Sequence, residues 1–137
     1  MGGVGLGLVD EFDLTGNLIR RVATAGLLDA PWGLAIALAS FNTLAGNFGN
    51  GDINAYDSSG QFVGTLNGPL GNPIAIDGLL AITTGNNGSS QKLYFAAGPD
   101  GESIGLFGVL TEVPEPATVG VLGLSLAALC RVRRSRR

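Results

Sequence analysis

Two eleven-residue stretches, Val9-Asp10-Glu11-Phe12-Asp13-Leu14-Thr15-Gly16-Asn17-Leu18-Ile19 and Ile53-Asn54-Ala55-Tyr56-Asp57-Ser58-Ser59-Gly60-Gln61-Phe62-Val63, repeat one pattern at an offset of 44 residues. In each, an aromatic residue is followed by Asp, two further residues, Gly, a polar residue and an apolar pair. Such a pattern reads as strand, tight turn, strand. The Asp side chain is expected to cap the turn backbone, the Gly to take the φ that other residues resist, and Phe12 and Tyr56 to pack inward.

A second element recurs more loosely. Leu28-Asp29-Ala30-Pro31-Trp32-Gly33-Leu34-Ala35-Ile36 is matched by Gly71-Asn72-Pro73-Ile74-Ala75-Ile76-Asp77-Gly78-Leu79-Leu80-Ala81-Ile82, with four residues in place of one between proline and glycine. Each ends in a short apolar strand, and Trp32 is expected to pack against a neighbouring sheet. Further turns are expected at Gly46-Asn47-Phe48-Gly49-Asn50-Gly51-Asp52 and at Ala97-Gly98-Pro99-Asp100-Gly101-Glu102. A unit of roughly 45 to 50 residues with four short strands has the size of one β-propeller blade. The expected fold class is therefore all-β: a partial β-propeller of about nine strands and two-plus four-stranded blades, followed by a C-terminal hydrophobic helix. Residues 8–23 would form two outer strands of one blade, 31–66 a full blade, and 79–110 three strands of another. A small β-sandwich is the alternative. The 23 glycines among 137 residues fit either, because glycine at more than twice its usual share of about 7 per cent favours tight turns over helices.

The last 25 residues have a different character. Val113, Pro114, Glu115 and Pro116 form a box that continues neither strand nor helix, because each proline fixes φ and lacks an N–H. An uncharged run from Ala117 to Cys130 follows, carried by Ala117, Val119, Val121, Leu122, Leu124, Leu126, Leu129 and Cys130. As a helix it would be about 21 Å long at about 1.5 Å per residue, shorter than the roughly 30 Å hydrocarbon core. That length suits a processed segment, or a marginal span whose flanking arginines snorkel outward. Arg131, Arg133, Arg134, Arg136 and Arg137 close the chain, and such a cluster stays cytoplasmic while everything before the apolar run is translocated.

Box, apolar run and Arg cluster in this order resemble the PEP-CTERM sorting signal of Gram-negative bacteria. The resemblance implies export, recognition by a membrane-embedded exosortase, transient residence in the inner membrane and removal of the tail near the Pro-Glu-Pro box. An ordinary tail anchor is the alternative. The body also shows a resemblance: Asp-Ala-Pro-Trp-Gly-Leu-Ala from Asp29, Asn-Pro-Ile-Ala-Ile-Asp-Gly-Leu from Asn72 and Leu-Tyr-Phe-Ala-Ala-Gly-Pro-Asp-Gly-Glu from Leu93 are similar to the C-terminal third of an uncharacterised family of exported, NHL-like propeller proteins that often carry PEP-CTERM tails. It implies no catalytic activity. Domains are thus expected at residues 1–112, the propeller part, and 113–137, the sorting signal. The N-terminal Met-Gly-Gly-Val-Gly-Leu-Gly-Leu has neither a basic n-region nor an uninterrupted h-region, so a shortened form of a longer exported protein is expected.

Charge and composition narrow the function. Residues 1–116 carry three basic against eleven acidic side chains, a net −8, and residues 117–137 carry +5. An acidic body argues against nucleic-acid binding, which needs a basic face to neutralise phosphates. With no histidine and one cysteine, Cys130, the chain lacks a His-based general base, an imidazole metal site and an internal disulfide. The remaining chemistry is that of Asp52, Asp57, Asp77, Asp100 and Glu102, all in or beside turns and none in the spaced pattern of a calcium loop. No cofactor, resident metal or catalytic residue is expected. The expected protein is a non-enzymatic structural or binding component of the cell envelope or extracellular matrix, with exosortase as partner and extracellular polysaccharide as a candidate ligand. The rival reading is the remnant of a propeller lyase or hydrolase.

Overall fold

The computed structural model describes residues 2–37, 40, 42–85 and 92–111. The expected sorting box, apolar helix and arginine cluster lie outside the described residues, as does Asn87-Gly88-Ser89, which matches a glycosylation sequon.

Among the described residues nine strands form three antiparallel sheets, each built from strands consecutive in the chain. Strands β1 (Leu8–Phe12) and β2 (Leu18–Thr24) make the first sheet. Strands β3 (Pro31–Ile36), β4 (Thr43–Asn47), β5 (Ile53–Tyr56) and β6 (Phe62–Thr65) make the second. Strands β7 (Leu79–Thr84), β8 (Lys92–Ala97) and β9 (Leu106–Thr111) make the third, with a four-residue helical turn, α1 (Pro99–Glu102), between β8 and β9. The elements fall within a residue of the expected 8–23, 31–66 and 79–110. Among the described residues no helix is long and apolar enough to cross a membrane.

The sheets stack in chain order, and the alternation of side chains along β4 shows how. Leu44 joins Ile53, Ala55, Ile76, Leu79, Ile82, Leu93 and Ala97 in a core against the third sheet. Its neighbour Ala45 points the opposite way and packs with Val9, Val22, Ala23, Leu28 and Tyr56 against the first. The middle sheet is covered on both faces, which is why all four residues of β5 are buried. Leu28, Ile53 and Leu79 are fully buried, and each contributes about 1.5–3 kcal/mol relative to an exposed side chain. Strands β3 and β7 lie side by side. A Cβ on Gly33 would stand 2.9 Å from the backbone nitrogen of Ile82, so glycine is what permits this approach.

The paired turns form as expected. Asp13 Oδ1 accepts from the backbone N–H of Thr15 (2.9 Å) and Asn17 (2.8 Å); Asp57 Oδ1 accepts from those of Ser59 (2.8 Å) and Gln61 (3.0 Å). Gly16 and Gly60 take φ of 88° and 84°. These donors hold both carboxyls below the usual carboxylate range: side-chain bonds from Asn17 and Thr15 contribute most at Asp13, and the Ser59 hydroxyl at Asp57.

Two expectations about aromatics are corrected. Tyr56 is buried, but Phe12 is 55 % exposed. Tyr56 leans on the face formed by Val22 of the preceding sheet, whereas among the described residues no sheet precedes the one that carries Phe12. Trp32 does not pack against a neighbouring sheet either. It is 68 % exposed, at the irregularity between Pro31 and Gly33 where β3 shifts register against β4, and its ring lies 5.9 Å from that of Phe48. An extra residue in one strand turns its side chain out of the ladder.

Candidate functional site

The pairing of the first two strands in the second and third sheets places two aspartates in equivalent positions. Pro31 pairs with Asn47 and, after one irregular residue, Gly33 with Gly46; Leu79 pairs with Ala97 and, after one irregular residue, Ala81 with Ala96. Pro31 is therefore the counterpart of Leu79, and Asp29 of Asp77, each two residues before its strand. The sequence comparison aligned Pro31 with Pro73, which sets Asp29 opposite Gly71 and requires an insertion; strand pairing removes it.

Both aspartates precede a left-handed residue, Ala30 (φ 49°) and Gly78 (φ 64°). The carbonyl of that residue accepts an N–H from the residue just after the second strand: Phe48 to Ala30 at 2.9 Å and Gly98 to Gly78 at 2.8 Å. The loop after β4 is thus tied to the start of β3, and the loop after β8 to the start of β7. The two tied corners bring Asp29 and Asp77 to the wall of one open recess of about 390 Å³, which Phe48 and Gly49 also line.

Glycine keeps the recess open. A Cβ on Gly49 would lie 2.1 Å from Asp29 Oδ1, and one on Gly78 2.2 Å from the carbonyl oxygen of Gly98. Gly2, Gly98 and Gly101 complete the lining, so among the described residues no cationic side chain lines the recess. Asp77 Oδ2 accepts the backbone N–H of Asp100 at 3.0 Å. Asp29 is 7 % exposed, and its Oδ1 is buried without a hydrogen-bond partner among the described residues. An unsatisfied buried polar group of this kind costs about 1–3 kcal/mol, more when charged. A cation or a hydrogen-bond donor entering the recess would recover part of that cost; an anion would not.

Of the carboxylates singled out by sequence, only Asp77 lines this recess. Asp52 accepts from the Asn50 side-chain amide at 2.9 Å and Asp57 caps its own turn; Asp100 accepts from the Ser103 hydroxyl at 3.1 Å. Asp29 was not among them. Its signal was present, an Asp two residues ahead of an apolar strand as at Asp77, but it emerges only when the two strands are aligned. Among the described residues no three His, Cys, Asp or Glu side chains come together as a metal cluster. Arg20 and Arg21 are engaged across the first sheet, Arg20 with Glu11 at 2.7 Å and Arg21 with Asp10 at 2.6 Å.

Residues 112–137 match the family described as the PEP-CTERM protein-sorting motif. The body has relatives in Acanthamoeba polyphaga mimivirus. "Uncharacterized protein L690" is 34 % identical over 113 residues, which is 79 % of this chain and 30 % of the relative. "Uncharacterized protein R648" is 32 % identical over 115 residues, 80 % of this chain and 28 % of the relative. The chain thus spans less than a third of either viral protein. The C-terminal segment carries the signal of an exported, sorted protein, joined to an all-β body similar to part of those longer proteins.

Proposed function

We propose that this protein is an exosortase substrate, delivered to the cell envelope or extracellular matrix, whose body is a β-propeller segment with a non-catalytic structural or binding role. The match of residues 112–137 to the sorting motif carries the reading, and the −8 charge of residues 1–116 supports it. Once the +5 tail is removed, the body is acidic and soluble, so attachment comes from the sorting step and not from residual membrane affinity. Exosortase is the partner, the inner membrane is occupied through residues 117–130 before processing, and extracellular polysaccharide is the candidate surface partner.

The propeller reading is supported by the arrangement of the sheets. Three antiparallel meanders lie face to face in chain order with the first strands of the second and third adjacent, whereas a sandwich has two layers. The outer face of the third sheet, with Phe107 73 % exposed and stacked on Tyr94 at 6.1 Å, presents apolar surface at positions whose counterparts in the second sheet, Leu44, Ile53 and Ala55, are buried in the core between the two sheets.

Mass spectrometry of the mature protein from exosortase-positive and exosortase-null hosts tests the sorting claim. Loss of the tail near Pro114-Glu115-Pro116 only in the positive host is expected. An intact tail in both would leave a simple tail anchor in its place.

A further inference from the structure

We propose that the recess between Asp29 and Asp77 binds a divalent cation of the calcium class. The two corners deliver one carboxylate from each sheet to one cavity by the same backbone device. One of these carboxylates is 93 % buried, with an oxygen that has no donor among the described residues, and among those residues no Lys or Arg lines the recess to neutralise either. The rest of the lining is glycine and Phe48, and the side-chain donors are hard oxygens, those of the two carboxylates. Calcium accepts six to eight such ligands in irregular geometry and completes its shell with water, whereas magnesium demands a near-ideal octahedron. Zinc and copper are disfavoured, because the chain has no histidine and its single cysteine is Cys130.

Two carboxylates make a weak site, in the range of about 10⁻⁴ to 10⁻³ M that characterises extracellular calcium modules. The relevance of that range rests on the export reading, but binding itself does not. A failure to bind calcium would leave tail processing untouched, and a failure of processing would leave the recess untouched.

The chain supplies its own reporter. Trp32, the single tryptophan, has its ring 5.9 Å from Phe48 at the recess wall, so Tb³⁺ bound there should emit when the indole is excited. Emission is expected to be displaced by millimolar Ca²⁺ and much less by Mg²⁺. Asp29→Asn and Asp77→Asn should each weaken Tb³⁺ and Ca²⁺ binding by about tenfold or more, as expected when ligand charge is removed. Asp57→Asn, in the turn at the opposite end of β5, should leave binding unchanged. Trp32→Phe should abolish the emission while calorimetry still detects Ca²⁺ binding. If Asp29→Asn unfolds the chain by circular dichroism, Asp77→Asn decides the matter, because Asp77 lies outside the buried core. Emission that neither aspartate variant alters, or that Ca²⁺ does not displace, would overturn the proposal.

Discussion

The turns at Asp13 and Asp57 share the backbone and hydroxyl bonds to the carboxylate and the left-handed glycine, with one further bond from the Asn17 side-chain amide at Asp13, yet they live in different surroundings. The Asp57 turn is docked: Arg20 donates a guanidinium N–H to the Ser58 carbonyl, a Cβ on Gly60 would collide with the Val22 carbonyl oxygen at 2.3 Å, and Tyr56 is buried in the core between the first two sheets. The Asp13 turn is undocked among the described residues: none of them lies within 4 Å of a Cβ on Gly16, and Phe12 is exposed. Local hydrogen bonds therefore decide the shape of the turn, and the neighbouring sheet decides what that shape is worth.

The comparison breaks most visibly at the aromatics. Tyr56→Ala should destabilise by about 3–5 kcal/mol, the usual cost of emptying a large core position. Phe12→Ala should fall within about 0.5 kcal/mol, as for other surface substitutions. Denaturant unfolding of both variants measures the difference; equal losses would mean that Phe12 is covered in solution.

The glycines give a smaller contrast. Gly16→Ala should cost about 1–2 kcal/mol for a left-handed alanine. Gly60→Ala carries that same cost and adds about 1–3 kcal/mol of overpacking against Val22. Thermal melting of the pair would sharpen the comparison, because the difference between the two reports the docking alone.

Acid titration should show the least contrast, since the two turns share most of their carboxylate bonds. Both aspartates have folded pKa values depressed below the unfolded value of about 3.9. Their contribution is present above that value and is lost as pH falls through the folded pKa. The melting temperature should therefore decline below about pH 4. Asp13→Asn should flatten the decline more than Asp57→Asn, because the Asn17 side-chain amide adds a bond to the Asp13 carboxylate, and equal flattening would tie the Asp57 carboxylate to docking as well as to its turn.

These contrasts mark where sequence reading reached and where it stopped. The strand limits and the turn conformations were legible, because aromatic, Asp and Gly at fixed offsets act through bonds that span at most four residues. Tyr56 and Phe12 look alike in sequence, and only a neighbouring sheet separates them. Trp32 was misread because a single register irregularity in β3 reverses the direction of its side chain. Asp29 was missed for a related reason: its equivalence to Asp77 lies in strand pairing, and the nearby prolines drew the sequence alignment to another register.

By itself the sequence determined the sorting signal in residues 112–137, the charge division between body and tail, and the all-β class, since each depends on composition or on contacts between near neighbours. Which faces of the sheets are buried, how closely β3 approaches β7 at Gly33, and the meeting of Asp29 with Asp77 across one recess were decided only by the tertiary structure. Those features join residues about 50 positions apart along the chain, and such contacts depend on how sheets stack, which the alternation of a single strand does not encode.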